Sequence, residues 1–403
     1  MSSKLDQLLA RLCPDGVEFM PLLEVADVLY GFPCDASLFN ADGKGMPLVR
    51  IRDVPVGRTS TYTTEAVSEE YFISSGDLLV GMDGNFHVAV WKSRSGVLCQ
   101  RVCRISSKNQ KLLLNGFLAH ILGPIIKKIE DGKNSGTVKH LLARDLASIR
   151  LPVPPLEVQN EIVRILDKFT ELTAELTAEL TARRKQYEYY RDLLLSFDNR
   201  DDRGGYHLLS DVFDMRNGYT PSKMHNEYWE NGVIPWFRME DIRENGRILM
   251  DAVQHVSTTA VKKGGLFPAN SIIVATSATI GEHALILAPF LANQRFTCLS
   301  IKAKWRNKIE PKFAFYACFK LDSWCLNNVN NGGFASVDME RFREFPFPVP
   351  PLEVQNEIVR ILDKFSTLCN DLTSGLPAEI EARKKQYEYY RDKLLSFKPL
   401  KHA

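Results

Sequence analysis

Basic and hydroxyl side chains set in short turns are the groups whose types and spacing suit chemistry here, and the chemistry they suit is recognition of phosphate and base edges. Lys302, Lys304, Trp305, Arg306, Lys308 and Lys312 form a basic run with an aromatic inside it, which fits phosphate contact. A solvated loop leading to a helix near Pro311 accounts for the same run. Lys262, Lys263 and the stretch from Arg238 to Arg247 have a similar character. Gly218-Tyr219-Thr220-Pro221-Ser222-Lys223 is a turn dense in hydrogen-bonding groups, suited to base reading on a rigid scaffold and readable equally as a plain turn. Ser277 and Thr279, opposite Met82 and Asp83 of an earlier, similar stretch, follow a strand-like run; Arg52, Arg58, Asn85 and Arg216 complete the candidate nucleic-acid surface.

Catalytic spacings are missing. There is no GxGxxG after a strand, no GxxxxGK[ST] loop and no Asn-Pro-Pro-Phe-like box; PVPPLE lacks the Asn or Asp that would hold an amino group. The eight histidines lie far apart and read as ordinary surface or core residues rather than a metal site. The eight cysteines show no CxxC pair and read as reduced, mainly buried thiols. No long uncharged apolar run and no signal-like amino terminus occur, so a cytoplasmic protein is expected. With 51 basic and 49 acidic residues the net charge is +2, so a nucleic-acid partner must be met through a local basic face.

The elements that position these groups come as two copies. Pro152 to Phe169 (PVPPLEVQNEIVRILDKF) recurs unchanged at Pro348 to Phe365, and Ala182 to Phe197 recurs at Ala382 to Phe397 with only Arg184 to Lys384 and Leu193 to Lys393 differing. The remainder aligns faintly: Val25, Asp27 and Gly31 face Val212, Asp214 and Gly218, and PLVRIRDV at Pro47 faces PWFRMEDI at Pro235. Gln100-Arg101 face Gln294-Arg295; being the same in both copies, they suit support of the fold or a phosphate better than base reading. Asp77 to Val80, Ser271 to Thr276 and Phe296 to Ile301 read as short strands broken by Gly, Pro and Asn.

The duplicated segments read as helices entered through a Pro-Pro step, with apolar stripes at Ile162, Leu166, Phe169 and at Tyr187, Tyr190, Leu194, Phe197. Between them Leu172, Leu176 and Leu180 recur every four residues, a spacer whose stripe drifts slowly round the helix. In the second copy Gly375 and Pro377 should interrupt the helix, with Pro377 able to start a new one. Tyr189, Arg191, Tyr389 and Arg391 are candidate partner anchors, since Tyr and Arg dominate interface hot spots; a helix-helix core is the other reading, with Tyr187 and Tyr190 inward and Tyr189 outward.

The PVPPLEVQNEI entries, the TAEL-type linker at Thr173 to Leu180 and the KQYEYYRD…LLSF blocks, in this order, resemble the specificity (S) subunit of type I restriction-modification enzymes over essentially the whole chain. The resemblance implies an α+β protein with two target-recognition domains, 1–150 and 203–346, alternating with a central helical spacer at 151–202 and a distal one at 347–403. It implies a pseudo-two-fold repeat whose long helices form an antiparallel coiled coil. It further implies a non-catalytic subunit that reads an asymmetric bipartite double-stranded DNA target and docks two modification (methyltransferase) subunits and, through them, restriction subunits. S-adenosylmethionine, ATP and Mg are then expected on the partners and none on this chain. A coiled-coil scaffold whose globular domains bind proteins is the alternative.

Overall fold

Strand-forming runs of only two to six residues, punctuated by Gly, Pro and Asn, dictate narrow sheets that need a helix to cover them. The computed structural model describes residues 4–133, 138–197, 205–330, 335–370 and 374–400. The chain divides into two units, the first made of Met1–Thr177 with Glu379–Ala403 and the second of Ala178–Ala378.

In the first unit an antiparallel sheet runs in the order Ala26–Tyr30, Val102–Ser107, Leu78–Gly81, Val88–Val90. Helix α1 (Asn115–Asp131) covers it, burying Phe117, Leu118, Ile121 and Leu122. A smaller mixed sheet sets Met46–Val49 parallel to Gly96–Leu98. The second unit repeats the plan with Phe213–Asn217, Phe296–Ile301, Ser271–Ala275 and His283–Ile286 in the corresponding order, Ile248–Leu249 added at the edge and a smaller sheet around Ile234–Phe237. The expected strands at 271 and 296 are present, and Ser271–Ala275 is buried throughout, as a central strand covered on both faces requires.

Helix α2 (Leu156–Leu194) runs unbroken for 39 residues. Helix α3 (Pro311–Asn327) starts at Pro311, where proline's missing N–H costs nothing. The second duplicated segment is split into α4 (Leu352–Asn370) and α5 (Leu376–Leu394), with Pro377 in the first turn of α5, so the interruption expected at Gly375 and Pro377 is present. Within the first unit, Phe169 of α2 stacks on Tyr390 of α5 at 5.3 Å, while Phe117, beside Val163, meets Phe397 at 6.4 Å. Those two segments therefore run antiparallel. Within the second unit Tyr190 stacks on Phe365 at 5.8 Å and Phe197 meets Phe313 at 6.3 Å, the same relation with the copies exchanged.

The identical blocks do identical intramolecular work. Gln159 is fully buried; its Oε1 accepts from the Leu114 N–H at 2.9 Å, and its Nε2 donates to the carbonyls of Leu112 (2.8 Å) and Pro154 (2.7 Å). Gln355 does the same with Glu310 N–H (2.9 Å) and the Lys308 and Pro350 carbonyls (2.8 and 2.7 Å). One carboxamide thus caps the start of α1 or α3 and ties it to the Pro-Pro entry of the long helix. One helical level on, His120 meets Asp167 at 2.8 Å, and Tyr316 donates to Asp363 at 2.6 Å.

Two outcomes follow. Gln159→Leu or Gln355→Leu strands one buried N–H and two carbonyls, and each should cost about 2–3 kcal/mol, read as a lowered urea midpoint. Arg164 and then Lys4 hold the Glu161 carboxyl down to about 2, from an ordinary 4.5. Its contribution is therefore complete above pH 4.5 and lost as pH falls toward 2. Glu161→Gln should flatten the stability–pH curve in that window and leave its slope at neutral pH unchanged.

Candidate nucleic-acid interface

The second unit gathers its reading groups at one end of its main sheet. Strand Phe213–Asn217 ends where Phe296–Ile301 begins, with Asn217 opposite Thr297, and Ser271–Ala275 ends at Phe296. The loop from Gly218, the turn from Ser277 and the pair Gln294-Arg295 therefore emerge together. Gly218 permits this: its N–H bonds the Phe296 carbonyl at 2.9 Å, and a Cβ there would lie 2.2 Å from the Asn293 carbonyl oxygen. Gly31 in the first unit is equally tight, 2.1 Å from the Cys99 oxygen. The loop is pinned beyond Gly218 by Tyr219, whose hydroxyl donates to the Ala260 carbonyl at 2.9 Å and whose own carbonyl accepts from the Trp236 indole at 3.0 Å.

Thr220, Lys223, Trp236, Arg238, Gln294 and Arg295 line a cleft of about 310 Å³. The Thr220 hydroxyl donates to Gln294 Oε1. Arg238 starts the helix Met239–Asn245; its N–H donates to the buried Asp241 carboxylate at 2.6 Å and its guanidinium sits 5.7 Å over the Trp236 ring. Arg238 Nε is buried without a hydrogen-bond partner among the described residues, its ion pair with Glu240 standing at 3.9 Å. Arg50 shares the anchoring in the first unit, its N–H donating to Asp53 at 2.9 Å and its guanidinium lying 5.6 Å over Phe39, with a hydrogen bond to Thr61 at 2.5 Å in addition and Nε buried without a hydrogen-bond partner among the described residues. Burial pushes the Asp53 carboxyl above its ordinary range, against the pull of Thr59 and Arg52.

Arg50 is the residue that sequence reading passed over in favour of Arg52. The alignment of PLVRIRDV with PWFRMEDI had already set it opposite Arg238. Arg52 is exposed and bonds Thr61 at 3.1 Å; Arg58 and Asn85 are exposed. Asn85 follows Gly84, whose φ of 68° matches the 65° of Ala278, and Asp83 and Ser277 make equivalent bridges to His140 and Ser336. The structure thus sets Ser277 opposite Asp83 and Thr279 opposite Asn85, correcting the pairing of Ser277 and Thr279 with Met82 and Asp83. In the first unit Asp83 draws His140 (2.7 Å) and Arg101 (3.4 Å) together at this end.

Other candidates are placed differently. The Thr279 hydroxyl is buried without a partner among the described residues. Arg216 lies 4.0 Å over Phe267 and donates to the carbonyls of Gly264 and Gly265, holding the loop that carries Lys262 and Lys263. Lys262 sits 4.3 Å over the Tyr219 ring, beside the Gly218 loop, while Lys263 is exposed. The Ser222 hydroxyl accepts from the Met224 N–H at 3.3 Å, and Lys223 is exposed. Lys302, Lys304 and Arg306 follow the far end of strand Phe296–Ile301, away from the cleft by about 17–20 Å of strand. There Lys302 donates to the Ser210 carbonyl at 2.6 Å and the Trp305 indole to that of Asp211 at 2.9 Å; Lys304 and Arg306 are exposed.

Along the helices Tyr187 is buried, its phenol pushed up to about 12 by desolvation, while Tyr189 and Tyr389 are 64% and 62% exposed. Tyr190 has both characters, stacked on Phe365 yet 38% exposed. Arg191 and Arg391 fold back along the protein: Arg191 lies 4.5 Å over Phe319 and Arg391 5.6 Å over Tyr387. Leu172, Leu176 and Leu180 are half-buried, Leu180 against the core of the second unit. Among the described residues no group of three His, Cys, Asp or Glu is placed to hold a metal, and no helix is long and apolar enough to cross a membrane.

Two units of one plan, each with an arginine whose backbone is anchored on a carboxylate and whose guanidinium lies over an aromatic ring, define a duplicated fold. The family model described as the type I restriction modification DNA specificity domain matches twice, over residues 14–183 and 207–382, and the chain belongs to that family. It is 59% identical over 197 residues to the Type I restriction enzyme EcoprrI specificity subunit of Escherichia coli, covering 47% of this chain and 49% of that one. It is 43% identical over 255 residues to the EcoR124I/EcoR124II specificity subunit of Escherichia coli, covering 61% of each. The chain thus spans about half to two thirds of the length of these curated relatives. The fold is shared with the S subunit of the type I restriction-modification system from M. genitalium (TM-score 0.51, 15% identity, 94% of this chain and 96% of that chain). It is shared also with a chain solved in work on assembly and conformational transition of the type I system (TM-score 0.61, 18% identity, 96% and 98%).

The close approach at Gly218 makes a clear expectation. Gly218→Ala drives a methyl group into the Asn293 backbone and should destabilise the second unit by about 1–3 kcal/mol, visible as a lower or split thermal transition.

Proposed function

We propose that this chain is the DNA sequence-recognition subunit of a type I restriction-modification complex, with each unit reading one half of an asymmetric bipartite duplex target. The observation that carries this is the matched pair of arginines. Arg50 and Arg238 are held alike in the two units, as contacts to a feature common to both half-sites require, while the neighbouring positions (Asn85 against Thr279, Phe32 against Tyr219) differ, as different sequences require. The chain itself is non-catalytic in this reading, acts in the cytoplasm and binds no cofactor. S-adenosylmethionine, ATP and Mg belong to two modification subunits and the restriction subunits that join them, with Tyr189 and Tyr389 offered outward to partners.

The test uses the chain assembled with its modification subunits. Arg238→Ala with Arg295→Ala should weaken duplex binding across all sequences and lower the slope of log affinity against log salt by about two. Thr220→Ala should alter the methylated sequence in one half-site only. Unchanged affinity and unchanged methylated sequence in both variants would remove the cleft from DNA reading.

Leu172, Leu176 and Leu180 set the reader spacing in the same proposal. One added TAEL unit lengthens the helix by about 6 Å. It should lengthen the nonspecific gap of the target by about one base pair, read by sequencing methylated sites, with both half-sites retained.

A further inference from the structure

The duplicated helix offers the same face twice, and among the described residues it is covered by a further helix once. In the first unit the helix Lys4–Leu12 lies on α2: Leu5 is buried in the core, Leu8, Leu9 and Leu12 pack against that core, Lys4 donates to Glu161 at 2.8 Å and Arg11 pairs with Glu157. The result at Glu161 is a carboxylate only 4% exposed. In the second unit the same sequence on α4 leaves Glu357 54% exposed, paired with Arg360 and drawn on by Lys364, both of its own helix. Leu352, the counterpart of half-buried Leu156, is 39% exposed. Ile165 packs against the core that the terminal helix completes; its counterpart Ile361, also half-buried, is not among the described residues packed against the core of the second unit. Among the described residues the second unit has no helix matching Lys4–Leu12.

We infer that the face of α4 formed by Glu353, Glu357 and Ile361 is a docking site for an amphipathic helix from a partner protein, one bearing two basic residues seven positions apart beside an apolar stripe. The occupant's chemistry is read from the helix seated on the identical face in the first unit. Lys and Arg seven apart lie two turns apart on one side of a helix, and Leu5, Leu8 and Leu12 fall on the three-four stripe between them. The site is independent of the DNA clefts, so neither proposal stands or falls with the other. It also makes the two copies unequal: a partner that requires this face finds it free only on the second.

The probe is a fluorescein-labelled peptide of residues 1–13, titrated into the full chain and followed by anisotropy. Saturable binding of one equivalent is expected. Glu353→Lys with Glu357→Lys, both exposed and outside the core, should weaken it about fivefold to tenfold, the scale of two surface ion pairs. A peptide carrying K4E and R11E should fail on the native chain and recover on the charge-reversed one. Circular dichroism melting of the variant checks that its fold is retained. Absence of saturable binding to the full chain overturns the inference, as does binding that ignores the charge reversal.

Discussion

A buried carboxamide is the constraint on which the rest of each unit hangs. Gln159 and Gln355 each satisfy three backbone groups that would otherwise be orphaned where a sheet-covering helix begins and a long helix leaves the Pro-Pro step. A glutamate lacks the N–H donors the two carbonyls need, and an apolar residue strands all three. The reading end is then held indirectly: α1 and α3 are fixed on their sheets, and the sheets fix where the loops at Gly31 and Gly218 emerge. Rigid placement of such loops is what lets a few side chains discriminate between bases.

The repeat was fully legible in the sequence, since identity needs no physical interpretation to be seen. Its meaning was only partly so. Two copies of one block suggest an outside partner met twice, yet Gln159, Asp167, Tyr187 and Phe197 with their counterparts are occupied by matching contacts inside the two units. What remains exposed and identical is the polar side of the helices, such as Lys185 with Lys385 and Glu188 with Glu388, together with the tyrosines Tyr189 with Tyr389 and Tyr190 with Tyr390.

Candidate site residues sorted by geometry in ways that residue type does not reveal. Lys302 and Arg238 look alike as cations on loops, but Lys302 follows the far end of main-sheet strand Phe296–Ile301 while Arg238 follows Ile234–Phe237 of the smaller sheet, at the cleft. Arg216 is as basic as either and is spent on the carbonyls of Gly264 and Gly265. Arg50 escaped notice because Arg52, two residues on, has the same type; only the capping carboxylate at Asp53 distinguishes them. Strand registers carried by short, interrupted runs settle such questions, and they include pairings across more than 70 residues, Ala26–Tyr30 with Val102–Ser107 and Phe213–Asn217 with Phe296–Ile301, that local pattern does not encode.

The first unit is closed by chain from far away. Val17 accepts from the Leu400 N–H and donates to the Lys398 carbonyl, both at 2.9 Å, and Tyr387 reaches the His120 ring at 3.0 Å. On the ribosome this inverts the usual order, in which the amino-terminal domain folds first. Ala178–Ala378 is contiguous and can complete itself as soon as it emerges, while Met1–Thr177 must wait, with Phe169 and the α2 face uncovered, until Glu379–Ala403 has been made. Nascent chains stalled before that segment would hold a finished second unit beside an unfinished first, so a truncated product is born with an adhesive apolar stripe already in place.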